Sequence, residues 1–245
     1  MIYISFYGNC QVEYIYSKLN SVLNKNEYSL FLLEANYLAI ENKSNLINEQ
    51  LLKSDIFIYQ PIDNKYNEQS SKYIISNLKD NVILISVPYC YSKMYFIQNT
   101  NRKSWNSQLN TYNDSFIEEE ILLNNNFNII FNKLIKEDYV EKEKIINEFN
   151  NTNSVMNSKE IDRGTKDKEC DITMVDFILN NYQDKCLFNE MHHPSNFTYE
   201  YMINKILKKL QIDKKISCPP SIQSPLKPQI YPCVYKHLNL KFSYD

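Results

Sequence analysis

A cysteine stands at the end of the first apolar run of this 245-residue chain. Gly8-Asn9-Cys10-Gln11 directly follows residues 2–7, which have the composition of a buried strand, and a helical pattern follows the motif. A thiol in a strand-to-helix turn lies near the positive end of the helix dipole and near free backbone N–H groups, which favour the thiolate. Gly8 permits a tight turn, and the Asn9 amide can donate to an oxyanion or a phosphate. Cys10 is therefore a candidate nucleophile, although the turn on its own favours a buried structural cysteine.

A histidine pair follows a short apolar run near the other end of the chain. The chain has three histidines, and two of them are adjacent in Glu190-Met-His-His-Pro194. Glu190 precedes His193 by three residues, a spacing that lets a carboxylate orient an imidazole. A nucleophile, a base and an orienting acid form the generalised triad of acyl transfer. The alternatives are two surface histidines before a helix-starting proline and a solvated carboxylate at Glu190.

The composition and the charge restrict the class of protein. The chain is 43% hydrophobic and 23% charged, with a net charge of −2, which is ordinary for a globular domain. Acidic and basic residues are mixed along the chain without a basic patch, which argues against a nucleic-acid partner. No run reaches the roughly 18 apolar residues of a membrane helix, and no signal peptide is evident. We therefore expect a cytoplasmic protein without a transmembrane segment.

The cysteines do not form a recognisable metal or redox motif. The six of them stand at positions 10, 90, 170, 186, 218 and 233, without a CxxC pair. In a protein that is not exported we expect reduced thiols. Five are interpreted as small buried hydrophobic residues, and no metal is expected.

Apolar runs alternate with helical patterns through the first part of the chain. Strands are predicted over residues 2–7, 28–33, 55–61 and 82–88, and helices over residues 11–23, 47–52 and 73–78. The runs are almost continuously apolar, as in strands covered on both faces. Alternation of strands and helices predicts a parallel sheet flanked by helices, an α/β fold. Since ligands bind at the carboxyl ends of such strands, we expect Gly8-Asn9-Cys10 and the histidine motif to share one edge of the sheet.

The pattern becomes mainly helical after residue 100. We expect a single α/β domain over residues 1–245, in which residues 101–168 form a helical insertion or lid and residues 218–245 an extended C-terminal tail. Helices are predicted over residues 116–123, 129–135, 139–149, 168–182 and 199–210, with a mobile polar connection over residues 150–159.

Several separated motifs are similar to those of one known family. Gly8-Asn9-Cys10-Gln11, Tyr59-Gln60-Pro61 and His193-Pro194-Ser195 resemble the capsule polysaccharide biosynthesis acetyltransferase family typified by WcbI. The resemblance extends to Arg163, Glu169-Cys-Asp-Ile172, Gln229-Ile-Tyr-Pro-Cys-Val234 and Leu238-Asn-Leu240, so it is scattered over nearly the whole chain.

The resemblance implies a fold, an acyl donor and a site. The fold is a three-layer α/β/α sandwich with a parallel sheet, SGNH-hydrolase-like or flavodoxin-like, and the reaction is O-acetylation of a sugar with acetyl-coenzyme A as donor. The implied catalytic residues are Cys10, which stands where SGNH-type enzymes carry a serine, His193 and Glu190. The implied coenzyme A contacts are Gly8, Asn9, Gln11, Gln60 and Arg163, and the implied acceptor contacts are His192 and Ser195. The family usually has an asparagine where this chain has His192, so substrate contacts are expected to differ there.

Two routes for acyl transfer are open at this point. In one, the Cys10 thiolate takes the acetyl group and His193 then activates the acceptor; in the other, His193 activates the acceptor for direct attack. In both, amides of the Gly8–Cys10 turn and the Gln60 side chain would stabilise the oxyanion. An esterase or deacetylase of the same fold, and a non-catalytic glycan- or coenzyme-A-binding module, are the alternative functions. A redox-sensing thiol is disfavoured because no other cysteine lies near Cys10 in the sequence.

Overall fold

The computed structural model describes residues 1–100, 113–161, 170–219 and 228–243. The chain divides into two compact units. The first, called the sheet unit, comprises Met1–Tyr89, Asn157–Asp176 and Tyr199–Cys218. The second unit comprises Cys90–Met156, Phe177–Thr198 and Pro219–Asp245. No helix in the described ranges is both long enough and apolar enough to cross a membrane.

A four-stranded parallel sheet is the centre of the sheet unit. Its strands are β1 (Ile2–Tyr7), β2 (Tyr28–Leu32), β3 (Ile56–Tyr59) and β4 (Ile83–Ser86), in the order β2-β1-β3-β4. All three pairings are parallel, with Ser5 opposite Phe57 and Tyr7 opposite Tyr59. The α/β class and the four predicted strands are confirmed, because continuous apolar runs are what two-sided burial requires.

Side-chain caps start most helices of the sheet unit. These helices are α1 (Cys10–Val22), α2 (Asn36–Asn42), α3 (Glu49–Leu52) and α4 (Ser71–Ser76), with a 3₁₀ helix over Asn64–Gln69. Asn9, Asn48 and Ser70 cap α1, α3 and α4 by accepting backbone N–H groups. The sequence did not predict α2, since Ala35 at its N-cap provides no side-chain start signal.

Both faces of the sheet are covered by side chains from helices. On one face Tyr7, Phe57 and Tyr59 belong to a buried cluster with Leu51 of α3 and Ile74 of α4. On the other, the ring of Phe6 packs edge-on against Tyr16 of α1. Helix α9 (Asn196–Lys209) contacts α1 through the rings of Tyr14 and Tyr199, 4.1 Å between centroids. Its apolar spacing had predicted this helix.

Short strands and helices form the second unit. Its described strands are β5 (Asn99–Thr100), β6 (Asn113–Asp114), β7 (Phe188–Glu190) and β8 (His193–Pro194). Its described helices are α5 (Ser115–Leu122), α6 (Phe127–Leu134), α7 (Lys142–Ile161), α8 (Val175–Asn181) and α10 (Pro232–Leu238). The end of α7 and the start of α8 belong to the sheet unit. β5 pairs with β6 and β7 pairs with β8, each pair antiparallel.

Three predicted boundaries after residue 149 are wrong. Residues 150–159 are part of α7, where Thr152, Met156 and Glu160 are buried at helical spacing. The helix predicted over residues 168–182 begins only at Val175, because residues 170–174 instead hydrogen-bond to Ser86 and Glu160. The tail is not extended throughout: residues 232–238 form α10, with proline at its first position, where helices tolerate it.

The histidine motif is carried by β7 and β8, which are not strands of the four-stranded parallel sheet, whereas the motif was expected at the end of one of that sheet's strands. β7 is followed by a turn at Met191 and His192, and the chain returns at once as β8, so that Phe188 pairs with Pro194 and Glu190 with His193. The backbone groups of β7 are therefore paired with its own return strand in a separate two-stranded sheet.

Candidate active site

Hydrogen bonds brace the turn between β1 and α1. Asn9 Oδ1 accepts the Gln11 N–H at 2.9 Å, and the Asn9 N–H donates to Gln60 Oε1 at 3.0 Å. Gln60 Nε2 lies 3.4 Å from Gln11 Oε1. Both glutamine side chains are buried, whereas Cys10, the first residue of α1, is partly exposed. The cysteine is thus presented by a turn that a neighbouring strand end holds in place.

This bracing limits which groups of Asn9 can donate to a ligand. Its backbone N–H is bonded to Gln60 and its side-chain oxygen caps α1. The Asn9 N–H is therefore not available as an oxyanion donor, and the Nδ2 group is the donor that the side chain can offer a ligand.

Gly8 is required by close packing within the turn. A Cβ atom at this position would lie 2.4 Å from Val12 Cγ2 and 2.9 Å from Gln60 Oε1. Both separations are shorter than van der Waals contact. The absent side chain lets α1 and the Gln60 amide pack against the end of β1, which in turn sets the position of Cys10.

The β7–β8 hairpin brings a carboxylate to an imidazole. Glu190 is fully buried, and its Oε1 pairs with Nδ1 of His193, whose side chain is 22% exposed. The cross-strand pairing of the two residues positions them for this contact. Sequence spacing predicted this contact, and the structure places it in a β-hairpin.

The contact defines the chemistry of the imidazole. A carboxylate at Nδ1 places the proton on that nitrogen and leaves Nε2 as the basic nitrogen. The buried negative charge also stabilises the imidazolium that forms when Nε2 accepts a proton. Such a pair has the arrangement that general-base catalysis requires.

His192 and Ser195, the two implied acceptor contacts, differ in exposure. His192 is partly exposed, and its ring lies 5.0 Å from the ring of Tyr91 between centroids. Burial and the Glu148 charge raise the pKa of Tyr91. Ser195 is buried, and its Oγ has no hydrogen-bond partner in the part of the chain that the structure describes. Its N–H donates to the Leu187 carbonyl, which ties the end of β8 to the residue before β7.

A polar cluster at the carboxyl end of β4 was not predicted as a unit. Asp171 Oδ2 accepts the Ser86 N–H and hydroxyl, both at 2.9 Å, and Asp171 Oδ1 pairs with Lys209 at 3.2 Å. Burial raises the pKa of Asp171, but these bonds outweigh it and the net pKa is lowered. Burial, followed by the charge of Asp171, raises the pKa of Tyr59 to about 12. Asp171 lies in a motif that carried the family resemblance, and that was the available signal.

The structure gathers the predicted site residues into two groups. Gly8, Asn9, Cys10, Gln11 and Gln60 belong to the sheet unit, whereas Glu190, His192, His193 and Ser195 belong to the second unit. Arg163 lies outside the described residues. None of the six cysteines, all of which the structure describes, forms a disulfide bond, and the described ranges contain no group of three metal-ligating side chains.

Comparison with known proteins identifies one family. The model of the family described as polysaccharide biosynthesis enzyme WcbI matches residues 3–215. A solved structure of WcbI, described as a novel polysaccharide biosynthesis enzyme in its native form without a disulfide bond between coenzyme A and one of its cysteines, superposes with a TM-score of 0.81. The two chains are 19% identical, and the match covers 99% of this chain and 80% of the other. No curated protein sequence matches the chain.

Proposed function

The chain belongs to the WcbI family of polysaccharide biosynthesis enzymes, and from this premise we propose that it transfers an acetyl group from acetyl-coenzyme A to a sugar hydroxyl of a surface polysaccharide or its precursor. The observation that carries the proposal is the contact of the buried Glu190 carboxylate with His193 Nδ1. Such a pair activates a hydroxyl or thiol group. The coenzyme A named in the description of the similar WcbI structure supports the choice of donor. In this proposal the sheet unit is the core of an SGNH-hydrolase-like sandwich.

In the first route Cys10 is the nucleophile. Its thiolate sulfur attacks the thioester carbonyl, the bond from that carbonyl to the coenzyme A sulfur breaks, and coenzyme A leaves as a thiolate that takes up a proton. The acceptor hydroxyl then attacks the acetyl-Cys10 thioester while His193 Nε2 accepts the hydroxyl proton. The Cys10 thiolate leaves, and the sugar carries the acetyl ester.

In the second route the acceptor hydroxyl attacks acetyl-coenzyme A directly. His193 Nε2 accepts the hydroxyl proton, and Glu190 stabilises the resulting imidazolium. Cys10 and the Asn9 Nδ2 group then position the donor thioester. Gln11 and Gln60 are buried in the brace, and we assign them to holding the Cys10 turn.

Ligand binding and acetyl-enzyme trapping test the proposal. Calorimetric titration with coenzyme A and acetyl-coenzyme A should show binding, and acetyl-coenzyme A without acceptor should leave an acetyl adduct on Cys10 by intact mass spectrometry if the first route operates. Cys10→Ser should abolish the adduct and, in the second route, retain slow transfer. Cys186→Ser is the matched control, because Cys186 is the other partly exposed thiol.

Kinetic measurements test whether Cys10 and His193 act in one reaction. Cys10→Ala and His193→Ala should be strongly non-additive in the double variant, as for residues that act as a unit. Absence of binding to both coenzyme A forms would refute the transferase. Release of acetate from acetylated glycans in water without coenzyme A would identify an esterase instead. Ligand binding and a cellular phenotype that survive both alanine variants would identify a non-catalytic binding module.

A further inference from the structure

Two partly exposed aromatic side chains lie next to the residue that the proposed function uses as the base. His192 directly precedes His193, and its ring lies 5.0 Å from the ring of Tyr91 between centroids. The two ring planes are inclined by 49°, so the rings contact each other without covering each other as a stacked pair would. Tyr91 and His192 are called here the aromatic pair.

The turn of the β7–β8 hairpin holds the aromatic pair in place. The Ser92 N–H donates to the Met191 carbonyl at 2.9 Å, and the Tyr91 hydroxyl lies 4.0 Å from Met191 Sδ. Both Ser92 and Met191 are buried. These contacts fasten the segment that carries Tyr91 to the residue directly before His192. A surface that is ordered before it binds a ligand loses less conformational entropy on binding.

A surface of this kind suits the ring of a pyranose sugar. The faces of aromatic rings carry partial negative charge. The C–H groups of a sugar ring are polarised positively, because the same carbon atoms carry oxygen. The imidazole nitrogens of His192 can in addition exchange a hydrogen bond with a sugar hydroxyl. Ligand sites commonly combine aromatic walls with a few polar groups in this way.

A carboxylate near the aromatic pair indicates which sugars fit. Burial, followed by the charge of the partly exposed Glu148 on α7, raises the pKa of Tyr91. The same turn of α7 packs against the segment of Tyr91. The ring of Phe149 lies 4.7 Å from that of Tyr182, whose carbonyl accepts the Tyr95 hydroxyl at 2.8 Å. A carboxylate accepts hydrogen bonds from sugar hydroxyls, but it repels a sugar that itself carries a carboxylate.

We propose that Tyr91 and His192 bind the acceptor sugar and that, with Glu148 beside them, they select a neutral pyranose over one that carries a carboxylate. This inference rests on the proposed function, because it takes His193 as the base that accepts the proton of the acceptor hydroxyl. The Cα atoms of consecutive residues are about 3.8 Å apart, so a sugar that contacts His192 lies close to His193. Tyr91 is then a specificity-determining residue that no sequence motif indicated.

Saturation-transfer NMR on the full chain, without any acyl donor, tests the sugar site. The probes are the methyl pyranosides of glucose, galactose and mannose and the methyl glycosides of the corresponding uronic acids. At least one neutral probe should bind, and its uronic acid counterpart should bind more weakly at neutral pH. Glu148→Gln should reduce the difference between the two, because it removes the repelling charge.

Variants of the aromatic pair test the role of the rings. Tyr91→Leu and His192→Asn each remove a ring and should raise the dissociation constant of the neutral probe by roughly threefold to tenfold. Tyr91→Phe keeps the ring and should retain wild-type affinity. Tyr201→Ala is the control, because Tyr201 is a partly exposed tyrosine on α9 of the sheet unit, and it should leave the dissociation constant unchanged. Circular dichroism spectra of all variants should match that of the wild type.

Several results would overturn the proposal. These are the absence of binding to every neutral probe, equal affinities of Tyr91→Leu and the wild type, and uronic acid probes that bind as tightly as the neutral ones. Calorimetric titration with coenzyme A separates this proposal from acetyl transfer. Sugar binding without coenzyme A binding would refute the transferase and leave the sugar site, whereas coenzyme A binding without sugar binding would refute the sugar site and leave the transferase.

Discussion

Replacing Gly8 with alanine tests the reason for a glycine before Cys10. The added Cβ would lie 2.4 Å from Val12 Cγ2 and 2.9 Å from Gln60 Oε1. Carbon atoms pack best at about 3.5–4.0 Å, so α1 or the end of β1 must move by more than about 1 Å. Val12 is fully buried and cannot turn away into solvent.

The expected cost follows from this crowding. Overpacking of a tight site costs about 1–3 kcal/mol, and at a urea m-value of about 2 kcal/mol per molar the unfolding midpoint should fall by about 1 M. A Val12→Ala background removes the shortest contact of the new methyl group, the one with Val12 Cγ2, and keeps the 2.9 Å contact with the Cβ atom of residue 12. Gly8→Ala should then cost about 1–2 kcal/mol less than in the wild-type background, as coupled neighbours do.

Urea unfolding followed by circular dichroism measures both effects, with alkylation of Cys10 as a local readout. Displacement of the turn should change the alkylation rate of Cys10 in Gly8→Ala and leave that of Cys186 unchanged. A Gly8→Ala midpoint within about 0.2 M of wild type, or an equal cost in the two backgrounds, would refute the claim that packing against Val12 requires the glycine.

Three further predictions concern buried polar contacts. Ser71→Ala should lower the free energy of unfolding by about 1–3 kcal/mol, because the fully buried hydroxyl accepts the Ile62 N–H at 2.7 Å; denaturant titration measures the loss. Glu190→Gln should slow acetyl transfer on the order of 10²–10⁴-fold with little change in binding of coenzyme A, because His193 loses the charge that stabilises its imidazolium; steady-state kinetics and calorimetry separate the two effects. Asp171→Asn should make the free energy of unfolding depend less on pH under acid conditions. The pKa of Asp171 is lower in the folded protein than in the unfolded chain. Asp171 therefore stabilises the fold above the ordinary carboxyl pKa of about 4, and this stabilisation is lost as the pH falls through the pKa in the folded protein.

Each of these predictions has a contradicting result. Ser76→Ala is the control for Ser71→Ala, because Ser76 is exposed and its hydroxyl donates to the Tyr73 carbonyl. Equal decreases in the free energy of unfolding for the two variants would show that the buried Ser71 hydroxyl does not stabilise the fold. Unchanged turnover in Glu190→Gln would remove the carboxylate from the mechanism. An acid unfolding profile of Asp171→Asn that follows the wild-type profile would show that this carboxyl does not drive the acid dependence.

Local patterns were sufficient for the strands of the sheet and for the two candidate motifs. The strands β3 and β4 were recognisable as apolar runs that end just before Pro61 and Pro88, because proline cannot continue the ladder. The three-residue spacing of Glu190 and His193 indicated the contact that the structure contains. A strand and a contact between residues three apart depend on neighbours in the sequence, so the order of residue types is enough to predict them.

The brace around Cys10 and the Asp171 cluster could be seen only in the folded chain. Gln60 meets the Asn9 N–H across 51 residues, and Asp171 meets Ser86 across 85. No periodicity encodes contacts at such separations, because they arise when the strand ends and loops are brought together by burial of the apolar faces. Residue types and local spacing therefore indicated which groups could do chemistry, and long-range packing determined that Gln60 supports the turn before α1 and that Asp171 bonds to Ser86.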